Sequence, residues 1–304
     1  MSLVDPAVEY FLAVYETGSV NAAARRLLIA SSAVSRHIAR LERELNVSLF
    51  ERLPHGLKPT SEGNAFAAYA RSALSLASEV TGQIRDVNVS PIVSIAGSEG
   101  AVHYLLPRAI ALAERQMPGL RVRLKRAPAS AVSSMVRDAV VDLGVTYNLS
   151  LASKVQVLLS TGAPVHAIMR RGHTFSQRPV LTFREISQFP LVLSPHGATS
   201  RALVDVFAAT SLRGIDPAFE TDDVAASLAY VQGSDAITLL SDISLDPTDK
   251  SLVVSVPMQE PEFQSRQLQL QGRIGAKFSP AAQLIAETIQ ELIRRPDARG
   301  AALS

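Results

Sequence analysis

The chain has no cysteine among its 304 residues. Disulfides, thiolate zinc sites, cysteine nucleophiles and thiol redox switches are excluded at once. Histidine is scarce as well: the six lie at positions 37, 55, 103, 166, 173 and 196, none at an HxxxH spacing. No metal site is expected. The motifs of common enzymes are missing too. Gly97-Ser98-Glu99-Gly100 is not a GxSxG nucleophile elbow. Neither a GxxxxGK[ST] phosphate loop nor a GxGxxG turn occurs. The expectation is a protein that is not an enzyme and needs no cofactor. No apolar run is long enough to span a bilayer. The opening MSLVDPAVEYFLAVYE carries acids early and no basic start, so it reads poorly as a signal peptide. A soluble cytoplasmic protein with no membrane contact is expected. Charge of one sign is nearly absent: 30 basic against 28 acidic residues leave a formal +2. Any nucleic-acid footprint must therefore be local.

What is present is a long, apolar-rich chain. Hydrophobic residues make up 47%, and the length suits two or three folded units. Near the start, Asp5-Pro6 can open a helix, with Asp as cap and Pro in the first turn. Val8, Phe11, Leu12 and Tyr15 follow on one face, and Gly18 stops it. Ser19 can cap a second helix, whose small Ala22, Ala23 and Ala24 allow close crossing. After a break at Ile29-Ala30, Ser31 or Ser32 can cap a third.

That third helix is two-faced. Val34, Ile38, Leu41 and Leu45 cluster within about 60° of one another. Ser32, Arg36, Ala39 and Arg43 lie opposite, with Ser35 and Arg40 on the flanks. Three short helices with a tight second link form a helix-turn-helix. In such units the last helix enters the DNA major groove. Charge alone is indecisive, since residues 1–60 hold seven basic and six acidic side chains. A solvated surface helix would look similar. The order of elements favours DNA: Leu49–Arg52 and Leu57–Pro59 read as two strands around a Pro-His-Gly turn. Such a wing brings Arg52 and His55 towards phosphates, which position rather than specify.

From Phe11 to Gly63 the stretch resembles the winged helix-turn-helix of the LysR-type transcriptional regulators. The resemblance rests on Phe11, Gly18, Ser19, Ala22, Ala23, Leu27, Ala33 through Arg36, Ile38, Leu41, Glu42, Leu49 through Arg52, Thr60 and Gly63. One departure stands out. The family usually has Ser-Gln-Pro where this chain has Ala30-Ser31-Ser32, and a serine is too short for a glutamine's bidentate contact with adenine. The DNA-facing candidates are Ser31, Ser32, Ser35, Arg36, Ala39, Arg40, Arg43, Arg52 and His55.

Beyond Ser61, which can cap the next helix, Phe66, Tyr69, Ala73, Leu76, Val80 and Val87 fit a heptad seam broken once at Gln83. Periodicity leaves open a helix packed on its own domain. The resemblance implies pairing with a second subunit through Phe66, Tyr69, Ala73, Leu76 and Val80, giving a dimer or a tetramer. Residues 86–91 read as a hinge.

From Ile92 strands alternate with helices, which argues for a parallel sheet. A helix is expected over Tyr104–Gln116, and strands in IVSIAG, LRVRLKRA and VDLGVTY. A second α/β unit starts near Ala163, and a helix over Pro280–Arg294 ends before a loose tail. The expected fold class is α/β behind a mostly helical winged helix-turn-helix. Its latter part is a two-subdomain module of the periplasmic-binding-protein kind. Expected domains are 1–60 for DNA, 61–88 for dimerisation and 89–304 for an effector. Within the last, subdomain I takes about 89–162 and 268–304, and subdomain II about 163–267.

Ligands in such sheets sit beyond strand C-termini, near helix starts. Three places qualify: Ser98-Glu99-Gly100, Ala129-Ser130 and Thr199-Ser200-Arg201. The resemblance implies that these line an effector cleft, often one for carboxylates. Glu99 adds a negative charge there and Ala129 lacks a common hydroxyl. Either His196 and Arg201 compensate for a ligand carboxylate, or the ligand is neutral or cationic; Arg201 is the strongest single candidate because a cation is unusual in a helix's first turn. The reading is a sequence-specific regulator that binds double-stranded promoter DNA and a small molecule, with RNA polymerase as a further expected partner. A DNA-binding protein without effector, or an α/β enzyme, remains the alternative.

Overall fold

A computed structural model describes residues 3–54, 56–84, 92–210 and 215–294. His55, Val87, the expected hinge at 86–91 and the expected tail fall outside the described residues. The chain divides into two compact units, one N-terminal and one beginning at Ile92.

In the N-terminal unit α1 (Pro6–Thr17), α2 (Val20–Leu27) and α3 (Ser31–Leu45) precede β1 (Phe50–Leu53), β2 (Gly56–Pro59) and α4 (Ser61–Ile84). Asp5 caps α1 by accepting from the Ala7 N–H at 2.8 Å. Gly18 closes it in the left-handed conformation, φ +65°, where a side chain would be strained. Ser19 caps α2, accepting from Ala22 N. Two expected caps are displaced by one residue. Ala30 occupies the cap position of α3 without a side-chain bond, so Ser31 and Ser32 lie in its first turn. At α4 the cap is Thr60, whose Oγ1 accepts from Gly63 N at 2.9 Å, and Ser61 is already helical.

The core of this unit gathers Phe11, Val14, Val34, Ile38, Leu41, Leu49 and Phe50, with Ala67 and Ala70 from α4. Ala23 and Ala24 are buried as expected for a close crossing. Leu45 is not: it is 45% exposed, because α3 ends there. β1 and β2 pair antiparallel, with Arg52 opposite Leu57. Gly63 is required for contact, since a Cβ there would collide with the Leu49 carbonyl oxygen.

The second unit runs β3 (Ile92–Gly97), α5 (Leu106–Gln116), β4 (Arg121–Arg126), α6 (Ala129–Arg137), β5 (Leu143–Asn148), β6 (Gln156–Gly162) and β7 (His166–Arg170). It continues with α7 (Phe183–Ile186), β8 (Leu191–Leu193), α8 (Thr199–Thr210), β9 (Phe219–Glu220), α9 (Val224–Gln232) and β10 (Ile237–Leu240). α10 (Pro247–Leu252), β11 (Val253–Pro257), α11 (Pro261–Gln264), β12 (Gln267–Gly272) and α12 (Pro280–Arg294) complete it. A π-helical turn, Ala101–Leu105, precedes α5 where the sequence suggested ordinary helix from Tyr104.

Two five-stranded sheets result, ordered β4-β3-β5-β12-β6 and β11-β7-β10-β8-β9. They are mixed rather than purely parallel. β3, β4 and β5 run parallel, but β12 returns late in the chain and inserts antiparallel between β5 and β6. Likewise β7 is antiparallel to β10 and β11. α5 and α12 pack on the first sheet around Ile95, Leu143, Leu268 and Ile285. Phe183, Phe263 and Ile237 centre the core of the second sheet.

Candidate functional site

The outer face of α3 is the first candidate surface. Val34 is fully buried and Ile38 and Leu41 are 7% exposed, so the apolar stripe is taken up inside the unit. Ser32, Ser35, Arg36, Ala39 and Arg43 are exposed together on the opposite face, and Ser31 is half-buried at its start. Arg36 makes no ion pair with a described residue, which leaves its five donors for an external acceptor. Arg40 is differently placed. Its Nη2 donates to both carboxylate oxygens of Asp5 at 2.6–2.7 Å, so it braces α3 on α1. The Ala7 N–H and Arg40 hold the Asp5 carboxyl below the usual range. Arg43 Nε turns back to the Ala39 carbonyl at 3.3 Å. Arg52 stands exposed on β1, and His55 lies outside the described residues.

α4 presents a second surface. Phe66 is partly turned inward, edge-on to Phe11 with ring centroids 4.7 Å apart. Tyr69 and Leu76 are 57% and 61% exposed, while Ala73 and Val80 are half-buried. The expected seam thus divides, its first member serving the N-terminal core.

Within the second unit a cavity of about 180 Å³ opens between the ends of the two sheets. Ser98, Glu99 and Gly100 enter it from the end of β3, Ala129 from the start of α6, His196 from the loop between β8 and α8, and Thr199 and Ser200 from the start of α8. Ser130 points elsewhere: it is exposed and does not line the cavity. Arg201 is the main departure from expectation. Its side chain is 9% exposed and engaged by Asp205 Oδ1 at 2.9 Å and Glu220 Oε2 at 2.7 Å. Further contacts reach the Ser194 carbonyl at 3.4 Å and His196 Nε2 at 3.1 Å, so the guanidinium clamps α8 to β9 and, without lining the cavity itself, braces His196, which does. The anomaly of a cation in a first turn is answered by two carboxylates: Asp205, one helical turn on at i+4, and Glu220 of β9, which is near only in space.

The cationic group that does line the cavity is Arg266, just ahead of β12. It is 4% exposed, and its Nε donates to the Ala163 carbonyl at 3.1 Å. Its guanidinium lies 4.6 Å over the Tyr147 ring. Burial pushes its pKa down to about 10, so it stays charged at neutral pH. Tyr147 and Arg266 escape a reading of the sequence, because a lone arginine before a strand carries no spacing signal.

Hydrogen bonds tie the two sheets together around the cavity. Ser194 Oγ donates to Glu99 Oε1 at 2.7 Å. Tyr147 Oη and Ser244 Oγ are 2.9 Å apart. Arg126 pairs with Asp222 at 3.2 Å. Gly100 is tightly fitted, since a Cβ there would collide with Ser244 Oγ. Burial, outweighing the Ser194 bond, raises the Glu99 pKa above its ordinary value. Among the described residues no group of three histidines or acids could hold a metal ion. No described helix is long and apolar enough to cross a membrane.

Comparison with known proteins agrees with both units. Residues 7–64 match the family described as bacterial regulatory helix-turn-helix protein, lysR family. Residues 88–294 match the LysR substrate binding domain. The uncharacterized HTH-type transcriptional regulator YbhD of Escherichia coli (strain K12) is 25% identical over 279 residues, 91% of this chain and 88% of that one. The regulator BenM of Acinetobacter baylyi is 26% identical over 246 residues, 77% of this chain and 78% of BenM. In fold, the chain resembles a full-length, singly substituted OxyR from Pseudomonas aeruginosa, with a TM-score of 0.67, 16% identity and 93% of each chain covered. With family models matching across both units, this chain belongs to the LysR family of bacterial transcriptional regulators.

Proposed function

We propose that this regulator binds a specific promoter sequence as a dimer, through α3 and the wing, and that a small molecule in the cavity between the two sheets controls it. The observation that carries the DNA reading is the division of α3. Its apolar stripe is buried while Ser32, Ser35, Arg36, Ala39 and Arg43 form one exposed face. Small hydroxyls and arginines at that spacing suit base edges and flanking phosphates. Arg36 is the principal base-reading group and Arg52 a phosphate contact. Arg40 acts as a brace. The functional boundaries fall near residues 60 and 88, with α4 as the pairing helix through Tyr69, Ala73, Leu76 and Val80. Two heads then require two half-sites.

The effector acts by preferring one arrangement of the two sheets over another, for equal affinity would shift nothing. Ser98, Glu99, Gly100, Ala129, His196, Thr199 and Ser200 are the cavity groups read from the sequence that support this role. The protein works where the chromosome is, in the cytoplasm, with RNA polymerase as the machinery it influences. It performs no turnover.

Footprinting of DNA beside the chain's own gene, with and without candidate metabolites, tests this. The expected result is protection over two half-sites one or more helical turns apart, altered by an active metabolite. Absence of any protected region would contradict the proposal.

A further inference from the structure

We infer that the cavity accepts a small zwitterion of the amino-acid type, its carboxylate on Arg266 and its ammonium on Glu99. This rests on the reading of the cavity as an effector site and deepens it.

Arg266 carries the first half. It is a buried cation that forms no ion pair with a described carboxylate, and its Nη2 has no hydrogen-bond partner among the described residues. Glu99 eases this charge from across the cavity, but a buried guanidinium with no carboxylate in contact remains costly. A guanidinium offers two parallel donors that match a carboxylate. A ligand carboxylate would complete it.

Glu99 carries the second half. It lines the same cavity half-buried, and its side chain accepts from the neutral Ser194 hydroxyl rather than from a cation. The two opposite charges thus face a common space without pairing with each other. A plain monoanion would compensate Arg266 but press against Glu99. A plain amine would do the reverse. A molecule with both charges compensates both groups. Arg126 and Asp222, also on the cavity wall, already neutralise each other. Size agrees: a cavity of about 180 Å³ leaves room for a small amino acid. Pro128, Pro195, Ala198 and Leu240 supply apolar wall for a short side chain.

Isothermal titration calorimetry on the full chain tests the assignment. The probes are the twenty standard L-amino acids, each with its deaminated acid and its decarboxylated amine. At least one small amino acid should bind about tenfold or more tighter than both of its analogues. Glu99→Gln should abolish the discrimination against the deaminated acid. Arg266→Gln should abolish the discrimination against the amine, with circular dichroism checking its fold. A deaminated acid that binds as well as its amino acid overturns the inference, as does the absence of binding by every probe. If the chain still protects promoter DNA in that case, the regulator reading stands and only the zwitterion fails. If promoter DNA is ignored as well, both fail.

Discussion

Glu42 Oε1 accepts a hydrogen bond from the backbone N–H of Leu49 at 2.8 Å, tying α3 to the start of the wing. The same oxygen receives the Phe50 N–H at 3.3 Å. Leu49 is 1% exposed, so its amide has no ready alternative partner. Glu42→Ala should therefore cost about 1.5–3 kcal/mol of stability. It should also weaken DNA binding without changing sequence preference, because it loosens the wing against α3. Urea melts and binding titrations on two operators check this. An unchanged midpoint would show that the bond contributes nothing to stability.

Arg36 and Arg40 should behave differently although both sit on α3. Arg36→Ala should cost about 1–3 kcal/mol of specific operator affinity and relax preference at one base pair. Arg40→Ala removes the Asp5 pair, which is largely surface-exposed. Its expected effect is about 1 kcal/mol or less of stability, with base preference intact. Fluorescence anisotropy on cognate and single-mismatch operators separates the two.

A parallel contrast separates Arg201 from Arg266. Arg201→Ala strips a buried guanidinium from Asp205 and Glu220. It should destabilise the second unit by about 1.5–3 kcal/mol and, beyond loosening His196, leave ligand binding in the folded protein in place. Full stability combined with lost ligand binding would return Arg201 to the effector site.

Acid should destabilise the second unit through two histidines. Burial holds both His166 and His173 below the ordinary imidazole value, which is about 6.5. Their neutral forms are favoured in the fold. The stability they contribute is complete above about pH 6.5 and is lost as pH falls through the lowered folded values. At His173 the geometry is explicit: Nδ1 accepts from the Phe175 N–H at 3.1 Å, a bond that protonation destroys. Melting temperature followed from pH 7.5 down to 5 should fall less steeply for His173→Gln than for the parent.

Pairing through α4 predicts that Leu76→Glu weakens the dimer, since Leu76 is 61% exposed on the described chain. Sedimentation velocity should show monomer at concentrations where the parent is dimeric. An unaltered dimer would exclude this face.

Local features of the fold are legible in the sequence because their causes are local. Asp5, Gly18 and Ser19 set helix ends through backbone bonds to near neighbours. The stripe of α3 follows from a fixed helical period. β6 is not legible, because its residues are mostly half-buried at a sheet edge and show no alternation. The return of the chain to the first subdomain near residue 268 is legible, but the antiparallel insertion of β12 between β5 and β6 is not, because pairing between residues as distant as Asn148 and Gln267 leaves no mark of direction in either segment. The same long return explains the cavity. Ser98, Thr199 and Ser200 follow the strand-end rule and can be found by it. Arg266 arrives from the far end of the chain, and only the folded sheet brings it beside Tyr147.

The central claim is that the exposed face of α3 occupies a major groove. Dimethyl sulfate protection reads it directly, because the reagent methylates guanine N7 on the major-groove edge. On an operator containing guanines, bound protein should shield N7 at two half-sites, and Arg36→Ala should restore reactivity at one base pair in each. Full N7 reactivity across a tightly bound operator would contradict the account.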